Sequence, residues 1–177
     1  MPRVVLFEPL IPPNTGNVAR TCAATGWELH LIEPLGFSLS DRHLRRAGLD
    51  YWPLVNLVRH PDVRSFLEQR HERGGRLLAL SSHANSSYSE VEYQEADWLL
   101  FGKETDGLSS ALLEAADLRL TIPMPRSRQE IPGGVRSLNL SVAVGVVVFE
   151  ALRQLSLMGE DMASRDMGPA TLAPSGD

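Results

Sequence analysis

The sequence predicts a single α/β domain built on a largely parallel sheet flanked by helices. Short, near-continuous apolar runs recur along the chain, as strands covered on both faces require. Amphipathic stretches with recognisable starts and stops separate them. No internal repeat is present, and 177 residues leave room for one full core and little more.

Val4–Phe7 reads as the first strand. Behind it, Pro12-Pro13-Asn14 introduces a helix over Thr15–Thr25, with a capping residue in front and Gly26 as the stop. Leu29–Ile32 is the second strand, and Asp41–Ala47 a short helix ending at Gly48. Val55–Val58 is a strand, followed after Pro61 by a helix over Asp62–Arg73 that ends at Gly74-Gly75. Leu77–Leu80 and Trp98–Phe101 are strands, Ser109–Ala116 a short helix and Leu118–Ile122 a further strand. Leu138–Leu155 is the longest and most apolar helix. Between these last two, Pro123–Arg136 carries prolines, a Gly-Gly pair and arginines, and reads as an irregular loop of the length that is usually functional or mobile. The domain is expected to span 1–155. The stretch 156–177, rich in Ser, Met, Gly, Pro and Asp, is expected to be a poorly ordered tail without chemistry.

A 43% hydrophobic and 22% charged composition is that of an ordinary soluble globular protein. The longest apolar run, Val142–Phe149, is far shorter than the roughly 20 residues of a membrane span. Arg3 and a brief apolar run ending at Glu8 do not make a signal peptide. Cys22 is the single cysteine, so no internal disulfide forms and a reducing, cytoplasmic setting is expected. A net charge of −5 excludes a uniformly basic nucleic-acid coat but leaves room for a local basic patch.

Three segments carry candidate chemistry. Pro12-Pro13-Asn14-Thr15-Gly16-Asn17-Val18-Ala19-Arg20 follows the first strand, at a strand's carboxyl end, where open α/β sheets bind ligands. Asn14, Asn17 and Arg20 fall on one helix face and offer amide and guanidinium donors to phosphate or ribose. The same pattern also suits an Asn-capped helix with an incidental surface arginine. Phe101-Gly102-Lys103-Glu104-Thr105-Asp106-Gly107-Leu108 is a tight loop with bracketing glycines. It is neither a P-loop nor a dinucleotide fingerprint, and it is equally compatible with a plain strand-to-helix turn. The third is Ile122-Pro123-Met124 together with Ser137-Leu138-Asn139-Leu140-Ser141. Ser137 fits a helix N-cap, and the polar Asn139 inside so apolar a helix start implies a ligand or tight backbone packing.

Arg42, His43, Arg45, Arg46, Arg59, His60 and Arg64 form a candidate phosphate-contacting patch, beside which Tyr51 and Trp52 are placed to stack on a base. Each of these residues taken singly fits a solvated charged face better. His30, between Leu29 and Leu31, reads as structural. No Cys/His cluster has metal-ligand spacing, and no Ser/His/Asp set stands out.

Taken together, the three segments resemble motifs 1, 2 and 3 of the knotted SPOUT RNA 2′-O-methyltransferases, over about Arg3 to Leu155. Ile32-Glu33-Pro34-Leu35-Gly36-Phe37 and Leu44-Arg45-Arg46-Ala47-Gly48-Leu49-Asp50-Tyr51 are similar to the minimal TrmL (YibK-like) tRNA (cytidine/uridine-2′-O-)-methyltransferases. The resemblance implies a SPOUT (α/β-knot) fold with a C-terminal trefoil knot. It implies S-adenosyl-L-methionine as methyl donor, S-adenosyl-L-homocysteine as product, and no metal. The implied substrate is the wobble cytidine or uridine of leucine-type tRNA, and the implied assembly a homodimer sharing its site across the interface, away from membranes. By motif match, Leu80, Gly102, Ile122 and Ser137 contact the cofactor. Glu104, Gly107, Met124, Leu138 and Asn139 lie in or near its pocket. Arg20 is implied to be central to the chemistry, with Asn14, Asn17, Ser137 and Asn139 beside it. Ribosomal RNA methylation, or a non-catalytic RNA-binding module, are the alternative activities for such a fold. The chain departs from its look-alikes at Phe149, where many carry tyrosine, and in the length of Pro125–Arg136.

Overall fold

The computed structural model describes residues 1–39, 51–125 and 135–166, with side chains described as far as Ser156. Its strands are β1 (Arg3–Phe7), β2 (Glu28–Ile32), β3 (Leu57–His60), β4 (Leu77–Leu80), β5 (Ser86–Ser87), β6 (Trp98–Phe101) and β7 (Leu118–Thr121). Its helices are α1 (Pro12–Thr25), α2 (Val63–Arg73), α3 (Ser110–Ala115) and α4 (Leu140–Asp166), with a 3-10 turn at Trp52–Leu54. Among the described residues the strands form one seven-stranded sheet in the order β3-β2-β1-β6-β4-β7-β5. Each neighbouring pair is parallel. Among the described residues no helix is long and apolar enough to cross a membrane.

Alternation along the strands divides the core in two. Val4, Leu6, Leu29, Leu31, Leu78 and Leu99 face one side, where Val18 and Cys22 of α1 and Val144, Val147 and Val148 of α4 cover them. Val5, Phe7, Leu77, Ala79 and Leu100 face the other, against Phe66 of α2 and Leu112 of α3. Covering on both faces is the reason β4 and β6 are apolar throughout.

Several boundaries differ from the sequence expectation, each for a local reason. α1 starts at Pro12, because proline at the first helical positions has no N–H to leave unsatisfied and a φ already suited to the helix. Ile11, not Asn14, is its N-cap residue. The third strand is Leu57–His60 rather than Val55–Val58, because Val55 closes the 3-10 turn and the parallel register with β2 pairs Ile32 with His60. β5 consists of two serines held to β7 by backbone pairing, with no apolar signal to announce it. α4 runs on past Leu155 to Asp166, so residue 155 falls inside a helix rather than at its end. The expected helix Asp41–Ala47 lies outside the described residues.

His30 and His60 are buried on the α2 face of the sheet. His30 Nδ1 lies 2.9 Å from His60 Nε2, and His30 Nε2 lies 3.0 Å from Glu28 Oε2. Arg73 donates to both oxygens of Glu28, at 2.7 and 2.8 Å. A carboxylate only accepts, so a neutral His30 carries its proton on Nε2. Its Nδ1 then accepts from His60 Nε2–H. Burial pushes the His30 imidazole down to about 4, and the Arg73 hydrogen bonds hold the Glu28 carboxyl down at about 2.

Candidate functional site

The carboxyl ends of β4, β6 and β7 open into a cleft of about 530 Å3, beside the point where the strand order reverses between β1 and β6. That is the position at which open α/β sheets bind ligands. Leu80, Gly102, Glu104, Gly107, Ile122, Ser137 and Leu138 line it, and so do Asn14 and Asn139. Met124 is half-buried outside it. Ser81, Ser82 and His83, directly after β4, also line it. They were missed at sequence level, although the same rule about carboxyl strand ends points to them.

The segment after β6 folds into a closed turn. Lys103 N donates to Gly107 O at 3.1 Å, and Gly107 N donates back to Lys103 O at 3.0 Å. Gly107 has φ +75°, a conformation L side chains rarely adopt. A Cβ on Gly102 would stand 2.3 Å from the carbonyl carbon of Gly107. Both glycines are therefore demanded by the turn itself, which leaves its backbone facing the cleft.

The turn aims Glu104 back at the start of α1. Its Oε2 accepts from Leu10 N at 2.8 Å, and its Oε1 accepts from Ile11 N at 3.2 Å and from Asn14 Nδ2 at 3.0 Å. The first turn of α1 holds no acidic residue, and Ile11 has no side-chain cap. Glu104 supplies the negative charge that a helix N-terminus favours. Asn14 Oδ1 in turn accepts from Asn139 Nδ2 at 3.0 Å. Asn139 Oδ1 accepts from Ser141 N at 2.9 Å and from Ser141 Oγ at 2.8 Å. Asn139, immediately before Leu140, is thus the capping residue of α4. The expected cap, Ser137, lies exposed on the cleft rim instead. Asn14 is only 5% exposed, and both ends of its amide are engaged. Its place is in the wall of the cleft, between two loops and a helix start.

Lys103 Nζ lies 3.0 Å from Glu8 Oε2, so its charge is already met. Arg136, on the cleft rim, donates to Thr105 O at 3.3 Å. Burial pushes the Cys22 thiol up to about 12, which removes it as a nucleophile. Hydrogen bonds from Arg153 and then Gln154 hold the Glu150 carboxyl down at about 2, so it is no general base at neutral pH.

Asn17 and Arg20 are exposed on α1, and neither lines the cleft of its own chain. The Arg20 guanidinium carbon sits 4.9 Å from the ring centroid of Tyr51. The expected basic patch is altered as well. Arg59 donates to Glu33 at 2.8 Å and Arg64 to Glu68 at 2.8 Å. His60 is buried, and Trp52 packs against the core rather than standing free for a base. The Arg59–Glu33 pair joins β3 to the segment after β2 and cannot be read along one segment, whereas Arg64–Glu68 is an i,i+4 helix pair that the sequence does carry. Arg42, His43, Arg45 and Arg46 lie outside the described residues. Phe149 is 57% exposed on α4.

A parallel α/β domain whose cleft is walled by a glycine-closed turn, a strand end and a capped helix start is the class of protein this geometry defines. The family model described as "SpoU rRNA Methylase family" matches residues 1–149, and the chain belongs to that family. It is 49% identical over 161 residues to the "tRNA (cytidine(34)-2'-O)-methyltransferase" of Escherichia coli K12, covering 90% of this chain and 97% of that one. A solved structure described as "Structural insights into the 2-OH methylation of C/U34 on tRNA" superposes with a TM-score of 0.81 at 51% identity, over 88% of this chain and 97% of that chain. The SpoU methyltransferase AviRb of Streptomyces viridochromogenes, solved in complex with the cofactor AdoMet, has a TM-score of 0.75 at 26% identity, over 89% of this chain and 61% of that one.

Proposed function

We propose that this chain is a tRNA ribose 2′-O-methyltransferase that takes its methyl group from S-adenosyl-L-methionine and acts on the wobble cytidine or uridine of leucine-type tRNA. The observation that carries the reading is the cleft at the ends of β4, β6 and β7, walled by all three sequence motifs at once. Its volume, about 530 Å3, lies within the range of small-molecule sites. Its lining fits the cofactor: Leu80, Ile122, Leu138 and Leu140 offer apolar surface for an adenine ring, and the 102–107 turn offers backbone groups to polar parts. When bound there, the cofactor supplies an electrophilic methyl on a sulfonium.

The protein's contribution is positioning. Methyl transfer needs the ribose 2′-oxygen in line with the methyl, and alignment of that kind accounts for much of an enzyme's rate. Arg20 orients the ribose or its phosphate and stabilises developing negative charge on the 2′-oxygen as the hydroxyl proton passes to solvent water. A guanidinium stays protonated in proteins, so it acts through its charge and not as a base. Asn14 and Asn139 hold the cleft wall, and Asn17 supports the RNA-facing side of α1.

Arg20 stands outside its own chain's cleft, which supports a homodimer in which one copy's α1 faces the other copy's cofactor. Exposed apolar Val142 and Phe149 on α4, and Ile11 just before α1, support the same assembly. The trefoil knot, a domain spanning 1–155 and a cytoplasmic location complete the proposal. The test is methyl transfer from labelled cofactor to unmodified tRNA. Label in the wobble ribose is expected, and binding of cofactor without labelling of tRNA contradicts the assignment.

A further inference from the structure

We propose that Tyr51 is a positioning residue for Arg20: its ring face holds the guanidinium in place while leaving the N–H donors free for RNA. The inference rests on the role given to Arg20 above and adds to it the group that orients it.

Arg20 is an exposed arginine on α1, and long exposed side chains sample many rotamers unless something holds them. Most other arginines of the described structure are held by carboxylates, as Arg59 is by Glu33, Arg73 by Glu28 and Arg76 by Asp97. Among the described residues no carboxylate lies within ion-pair distance of Arg20. Its partner is the Tyr51 ring, at 4.9 Å from the guanidinium carbon to the centroid, well inside the range of a cation–π contact. The difference has a chemical consequence. A carboxylate neutralises the guanidinium and occupies its donors. An aromatic face attracts the cation through the ring quadrupole and occupies none of the five N–H groups. The cation is thus oriented yet chemically unspent, as a group that must meet a ribose or phosphate requires.

The backbone that carries the ring is well anchored. Tyr51, itself exposed at 38%, is the N-cap of the 3-10 turn Trp52–Leu54. Leu54 N donates to Tyr51 O at 2.8 Å, Pro53 stiffens the turn, and Trp52 and Val55 pack against the core on either side. The backbone under the ring is therefore fixed to the same core that α1 packs on. The sequence suggests Tyr51 as a stacking platform for a base, and the structure places a guanidinium on it instead.

The test is single-turnover methyl transfer at saturating cofactor and tRNA. Arg20→Ala is expected to slow it by about 100-fold or more. Tyr51→Leu is expected to slow it by about fivefold or more at saturation, and Tyr51→Phe, which keeps the ring face, by less than about twofold. Phenylalanine analogues of rising ring fluorination at position 51 should slow it stepwise, since each fluorine weakens the negative face and barely changes the shape. Affinity for S-adenosylhomocysteine should be unchanged in the whole series. If Tyr51→Leu fails to fold, the near-isosteric fluorinated series decides alone. A flat fluorination series overturns the proposal. So does a loss confined to KM for tRNA, which is the signature of base stacking. Full activity of Arg20→Ala would instead remove the functional reading of Arg20 on which the proposal stands.

Discussion

Asn14 donates its side-chain N–H to Glu104 Oε1 at 3.0 Å, joining residues that stand 90 apart in the sequence. Because a carboxylate can only accept, the contact fixes which way the Asn14 amide faces, and so makes its oxygen the acceptor for Asn139. A single polar chain thereby runs from the start of α4 through the start of α1 to the turn after β6. This chain ties three of the segments that line the cleft to one another.

Glu104→Ala strands the Leu10 and Ile11 N–H groups and the Asn14 amide. The expected cost is about 2–4 kcal/mol of stability, since hydrogen bonds to a charged group contribute about 1.5–3 kcal/mol each and are not additive. Denaturant midpoints should fall with an unchanged slope. Cofactor affinity should fall as well, because two walls of the cleft lose their tie. Glu104→Gln keeps one acceptor and should fall between the two proteins. A Glu104→Ala protein as stable as the wild type, with unchanged affinity, would show that the polar chain is incidental.

Gly102→Ala places a methyl where Gly107's carbonyl carbon already stands, 2.3 Å away. The turn must open, and calorimetry with S-adenosylhomocysteine should show affinity lowered by about tenfold or more, as a misplaced backbone site predicts.

How far the sequence could be read depended on the kind of signal. Strands such as Leu77–Leu80 and Trp98–Phe101 stand out because a parallel sheet covered on both faces demands uninterrupted apolar runs. β5 is invisible because backbone pairing alone makes it a strand. Within the site, the segment after β1 follows from the rule that ligands bind at carboxyl strand ends, whereas cleft residues such as Leu80, Gly102 and Ile122 follow only from the motif resemblance. The work of Glu104 and Asn139 does not follow, since it depends on partners brought near only by the fold. Asn139 puzzles at sequence level as a polar residue in an apolar helix, and is explained once the helix is seen to begin one residue later.

Acid should weaken the fold in two windows. His30 titrates near 4 in the folded protein against 6.5 for the free side chain. Between those values the unfolded chain binds more protons, so stability falls as pH drops below about 6.5, and burial of neutral His30 accounts for about 3 kcal/mol. His60, also lowered by burial, adds in the same direction. Glu28, held at about 2 against 4.5, adds stability that is present above 4.5 and lost as pH falls toward 2. Urea midpoints between pH 7 and pH 4 should fall steadily, and His30→Leu should flatten that first window. A wild-type curve flat from pH 7 to 5 would refute the buried neutral pair.

Val142 and Phe149, 51% and 57% exposed on α4, offer apolar surface with no cover in one chain. Val142→Asp combined with Phe149→Asp is expected to give a folded monomer by sedimentation that binds tRNA weakly and transfers no methyl. Mixing it with a chain carrying only Arg20→Ala should not restore transfer if dimerisation itself is lost. A double variant that remains dimeric would move the interface elsewhere.

The most direct test of the central claim is to map ribose methylation on an unmodified leucine tRNA transcript after incubation with the purified chain and S-adenosyl-L-methionine. The account predicts a 2′-O-methyl group at the wobble pyrimidine, absent with Arg20→Ala even though that variant still binds S-adenosylhomocysteine. Methylation of a base or of another ribose, or transfer to ribosomal RNA with none to tRNA, would contradict it.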